Sequence, residues 1–212
     1  MKKAAILAFV AGLSACAATA PQYYSLQVPT TGEESASPAV ERGYAISMQP
    51  VIVPQQVARP QIVVSTTASA EVVPLNAALW AGPLEAQIRN TLSDGLSRKL
   101  GVVDVGQSGA ADDLPVWRIY VDVQRFDSVY GESVQHDIVW RMVPHGMRAK
   151  ARERVCSAQI SLPVGTGMSA LVEGHRRALD ALSGAMAAVL ASPQAAQPAA
   201  MPEGVQFRGC VG

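Results

Sequence analysis

Nowhere does this sequence carry the roughly 20 consecutive apolar residues that a membrane-spanning helix needs. Ala4–Leu13 is apolar for about ten residues and then stops. Neither sign of charge dominates, since 17 Lys and Arg face 17 Asp and Glu. Without a basic stripe, nucleic acid is not expected as a partner. Aromatic residues make up only 5% of the chain, which leaves the core to Val, Leu, Ile and Ala. Three cysteines and three histidines are present. A structural zinc site usually takes four ligands, and His136, His145 and His175 show no metal spacing with Cys156 or Cys210. Neither a metal nor another cofactor is expected.

Catalytic signatures are missing too. A serine hydrolase of the nucleophile-elbow type needs Gly-x-Ser-x-Gly, and the segments around Ser133 and Ser169 both lack the second glycine. Gly165-Thr166-Gly167 is too short for a phosphate cradle, and no lysine follows it. His136 and Asp137 are neighbours in a strand-like segment, where successive side chains point to opposite faces, so they cannot pair with each other. His175 lies on an apolar helix face, the place for a hydrogen-bonded, partly buried histidine. The expectation is a non-enzyme.

The N-terminus is more informative. Lys2 and Lys3 precede the apolar run, which ends in Leu13-Ser14-Ala15-Cys16. A charged start, a short apolar stretch and small residues at a cleavage point make a signal peptide. A cysteine directly after Leu-Ser-Ala supplies the thiol that takes a diacylglyceryl group, so residues 1–15 are expected to be removed and Cys16 to be lipidated. Plain secretion would instead use an Ala-x-Ala site, at Ala15-Cys16-Ala17 or Ala18-Thr19-Ala20. Removing 15 of 212 residues leaves 197, enough for one domain with a sizeable core. Cys156 and Cys210 then remain as an even pair, which an oxidising compartment usually bridges. Two free thiols, or a Cys210 bridge between chains, are the alternatives.

Hydrophobic periodicity gives the elements. Tyr23–Val28, Tyr44–Val53, Gln61–Ser65 and Glu71–Leu75 read as short strands, the last two as a hairpin. Pro29–Arg42 and Gly106–Asp113 read as loops. Gly82-Pro83 opens a helix with Leu84, Ile88, Leu92, Leu96 and Leu100 in one stripe, and Gly101 stops it. Trp80, just ahead of this helix, is read as a clamp on its start, and as a candidate partner contact. Val116–Phe126, Ser133–Val143 and Met147–Leu162 form a meander. In the first, strict alternation sets Trp117, Ile119, Val121, Val123 and Arg125 on one face. Met168–Leu190 is a second amphipathic helix. The expected fold is α+β: an antiparallel sheet with two amphipathic helices on one face. Residues 16–191 form the single domain, and 192–212 a flexible linker and tail that returns to apolar residues at Val205, Phe207 and Val211.

Several motifs, in order, resemble the PqiC-like group of ABC-type transport auxiliary lipoproteins. They are the Cys16 lipobox with Tyr23-Tyr24-Ser25-Leu26, then Arg59-Pro60-Gln61-Ile62-Val63, Leu79-Trp80-Ala81-Gly82-Pro83-Leu84, the strand from Trp117 to Asp127, and Leu179-Asp180-Ala181-Leu182-Ser183. The resemblance implies an outer-membrane lipoprotein facing the periplasm. It implies a non-enzymatic partner of an MCE-type (mammalian cell entry) phospholipid transport system, docking the MCE-domain protein, and it leaves homo-oligomerisation open. Ala17, rather than aspartate, after the cysteine fits the outer membrane. The tail after Leu190 and the basic segment Met142–Arg154 depart from the family pattern. An independent periplasmic carrier of one apolar ligand is the alternative reading.

Overall fold

A proline at the start and a glycine at the end delimit the first helix as the periodicity requires. A computed structural model describes residues 20–27, 43–66, 69–106, 114–147, 151–191 and 200–212. In it, helix α1 spans Leu84–Leu100 between Pro83 and Gly101. Pro83 stands at the cap and its carbonyl accepts the Gln87 N–H at 3.1 Å. Gly101 takes the left-handed conformation, φ 64°, which favours glycine because it has no Cβ to clash. All five residues of the leucine–isoleucine stripe are buried. The second helix, α2, spans Met168–Ala191. The two helices pack side by side at Gly95, where an added Cβ would lie 2.6 Å from Ser183 Oγ.

Among the described residues, eight strands make one sheet: β1 (Gln22–Tyr24), β2 (Ala45–Met48), β3 (Gln61–Thr66), β4 (Ser69–Trp80), β5 (Val116–Val129), β6 (Ser133–His145), β7 (Arg154–Pro163) and β8 (Val205–Val211). Their order is β1-β4-β3-β5-β6-β7-β8, with β2 beside β5. The β3–β4 hairpin and the β5–β8 run are antiparallel. The fold is thus α+β as expected, but the sheet is mixed: β1 joins β4, and both β2 and β3 join β5, in parallel. The expected segment 192–212 also divides differently. Its residues Val205–Val211 pair with β7 and so belong to the sheet, which extends the domain beyond residue 191. The loops expected over 29–42 and 107–113, most of the linker, and Cys16 lie outside the described residues.

One face of the meander is packed and the other wet. Trp117, Ile119, Val121 and Val123 of β5, Val134, Ile138, Trp140 and Met142 of β6, and Cys156, Ala158 and Ile160 of β7 are buried, and α2 lies against β6, β7 and β8. Arg118, Asp122, Gln124 and Arg141 are on the solvent side. Strict alternation misplaces one position. The register of β5 against β6 slips between Val123 and Arg125, so the chain carries one extra residue, a β-bulge. Arg125 therefore turns to solvent, 3.2 Å from Asp127, and Phe126 and Ser128 take the packed face. Burial and Asp137 raise the Asp127 carboxyl above its usual range, against the lowering effect of Arg125.

Leu92, at the centre of the α1 stripe, is fully buried. Leu92→Ala is expected to lower stability by about 2–5 kcal/mol, the loss of transfer energy plus a cavity. Urea denaturation measures it, and an unchanged midpoint would remove this helix face from the core.

Candidate functional site

The bulge in β5 brings a polar chain into the interior. Ser128, on β5 beyond the bulge, lies 2.8 Å from Nε2 of His175 on α2. Nδ1 of His175 lies 2.8 Å from Nε2 of His136 on β6. Both imidazoles are fully buried, and Ser128 is 3% exposed. Phe126 stacks on both rings, with centroids at 4.5 Å to His136 and 4.2 Å to His175. Trp80 meets His175 edge-on at 6.2 Å. Burial disfavours the charged imidazolium, and it pulls His136 down to about 3. His175 is also lowered, first by burial and then by His136.

Hydroxyl, imidazole and a third hydrogen-bonding group in line are the parts of an activated nucleophile. Here, however, Ser128 is buried where β5 meets α2, away from solvent. The chain ties β5, β6 and α2 together. Sequence reading had placed His175 on the apolar helix face, where it lies. It missed His136 and Ser128 as its partners. For His136 a signal existed, because it shares strand parity with Ile138 and Trp140. For Ser128 there was none, since the bulge reverses its parity.

A second polar cluster lines an open cleft of about 500 Å³ bordered by Gln27, Arg89, Ser93, Asp104 and Gly106. Its centre is Asp104, after α1. The carboxylate accepts the N–H of Met48 at 3.2 Å and that of Gly106 at 2.8 Å, and the Ser93 hydroxyl also donates to it. Arg89 lies 3.6 Å away and donates to the Met48 carbonyl at 3.2 Å. These bonds staple β2 to α1 and to the segment after it. The carboxylate is consumed by its own neighbours.

Of the residues singled out by sequence, Cys16 is outside the described region. Cys156 and Cys210 face each other across β7 and β8 and are disulfide-bonded. Trp80, the last residue of β4, is 4% exposed and packs on Phe126 and His175, the place of a hydrophobic clamp ahead of α1. Among the described residues no group of three or more His, Cys, Asp or Glu could hold a metal, and no helix is long and apolar enough to cross a membrane.

No curated protein matches the sequence significantly. The fold is similar to that of an uncharacterized protein seen in a crystal structure, with TM-score 0.58 and 22% identity over 79% of this chain and 97% of that one. It is also similar to a Xanthomonas campestris protein of the DUF330 family, with TM-score 0.57 and 16% identity over 78% of this chain and 92% of that one. The family model for the ABC-type transport auxiliary lipoprotein component matches residues 24–187, from β1 through nearly all of α2. The chain belongs to the ABC-type transport auxiliary lipoprotein family.

Proposed function

We propose that this protein is a lipid-anchored, periplasm-facing component of an intermembrane phospholipid transport system, held in the outer membrane by Cys16 and docking an MCE-domain protein without performing chemistry. The family match across β1 to α2 carries this reading. The Leu13-Ser14-Ala15-Cys16 motif supplies the anchor. Five residues, 17–21, separate Cys16 from β1. Even fully extended they reach only about 20 Å, so a lipid on Cys16 keeps the β1–β4 edge close to the bilayer. The burial of Ser128, His136 and His175 supports a non-enzymatic role.

Leu26, Ile88, Leu92, Ile119, Trp140 and Leu179 are all buried in one core cluster. This packed core supports a docking component; a carrier needs an apolar cavity for its ligand. Crosslinking in intact envelopes, followed by purification of the adducts, tests the proposal. The expected adduct contains an MCE-domain protein. Purification without that protein, but with a small apolar molecule retained by the domain, would replace the proposal with the carrier.

A further inference from the structure

We propose that the Ser128–His175–His136 chain is an acid-sensitive latch, which holds α2 against β5 and β6 while both imidazoles are neutral and releases the helix when they take up protons. The inference is independent of which partner the protein docks.

The latch joins three elements that are distant in sequence. β5 supplies Ser128, β6 supplies His136 and α2 supplies His175, with both links at 2.8 Å. A neutral imidazole has one N–H and one acceptor nitrogen. Two neutral rings and a hydroxyl can therefore run head to tail, with a donor facing an acceptor at each of the two links. A single added proton keeps the bonds: a doubly protonated His175 donates to His136 through Nδ1 and to Ser128 through Nε2. Its charge, however, would sit on a fully buried ring, where burial disfavours it. A second proton, on Nε2 of His136, points two N–H donors at each other across the same 2.8 Å.

Around His175, β4 contributes Trp80, and β5 contributes Phe126. The charged neighbours on β5 and β6, Arg125, Asp127 and Asp137, lie together on the wet face. On α2, Arg176 binds Glu173 and the Gln27 carbonyl, Arg177 binds the Pro163 carbonyl, and Asp180 binds Lys99 of α1. Arg89 of α1 is engaged with Asp104. Burial alone lowers His136, while His175 is lowered first by burial and then by His136. Among the described residues His136 Nδ1 is buried with no hydrogen-bond partner, so none of their carboxylates meets the far end of the chain.

The sign follows from linkage. Both histidines are lowered from 6.5 in the fold, so their contribution to stability is complete above about pH 6.5 and is lost as pH falls toward the folded values. Lowering pH from 7.5 to 5 reduces the folding equilibrium about 30-fold through His136 alone, and His175 adds in the same direction. Asp127 is raised and acts in the opposite direction, at lower pH, near the carboxylate range.

The test combines urea denaturation with hydrogen exchange, corrected for intrinsic rates, between pH 7.5 and 5. The wild type should lose at least the 30-fold, with peptides from Met168–Ala191 losing protection before those of β5–β7. A triple variant, Ser128→Ala with His136→Leu and His175→Leu, should flatten the pH profile. An unaltered slope in the variant, or simultaneous loss of protection in helix and sheet, overturns the latch. Should the variant not fold, imidazole NMR on the wild type decides: two rings still neutral at pH 5.5 in the folded protein support the latch, and rings that titrate near 6.5 overturn it.

Discussion

Cys16→Ala is expected to leave the chain unlipidated and uncut, with residues 1–15 still attached. In the proposed lipoprotein, the Cys16 sulfur is the atom that would form the thioether to diacylglycerol. Alanine has no nucleophile there, and the lipoprotein peptidase acts only on the lipidated cysteine. The effect on anchoring is all or none, because two or more acyl chains give stable attachment where one is marginal, each buried CH₂ contributing about 0.8 kcal/mol. Mass spectrometry of the N-terminus is the measurement. A wild-type chain that starts elsewhere, or carries no lipid, would end the lipoprotein reading, as would a Cys16→Ala protein processed like wild type.

The second large effect concerns the bridge between Cys156 and Cys210. These residues are 54 apart in sequence, and closing a loop of that length in the unfolded chain corresponds to about 4 kcal/mol in the chain-entropy model. Typical domains are stable by only about 5–15 kcal/mol. Replacing both cysteines by alanine should therefore lower the urea midpoint substantially. The loss should appear first at β8, which keeps only its pairing with β7 and contacts such as Phe207 against Trp140, ring centroids 6.0 Å apart. Exchange of β8 amides should accelerate before that of β5 and β6. A midpoint equal to that of the oxidised wild type would show that backbone pairing alone holds the strand.

What could be read from sequence was local. The α1 stripe announces its own buried face, and Gly101 its end, because both signals lie within one element. The meander follows from alternation and from the short turn Tyr130-Gly131-Glu132 between β5 and β6. The return of apolar residues at Val205, Phe207 and Val211, with Cys210 among them, marked a segment that docks. The parallel insertions had no such signal: β1 pairs with residues more than 50 positions away, and β2 with residues about 70 away. The latch was hidden by one extra residue in β5. Alternation carried past Val123 puts Arg125 and Asp127 inside, where the bulge puts Phe126 and Ser128.

The short strand β1 also has a mechanical meaning. It runs parallel to β4 through three residue pairs, and Leu26 just beyond it is buried in the core. Leu26 donates its N–H to Gln87 of α1 at 2.8 Å, and the Tyr24 carbonyl accepts the Ala81 N–H at 2.8 Å. A pull transmitted from the N-terminal side acts along the axis of β1. The inter-strand bonds then share the load in shear, rather than opening one by one, and the buried leucine behind them resists slippage. If the tether is a lipid, tension from the bilayer would enter the domain through this sheet edge and its bonds to α1.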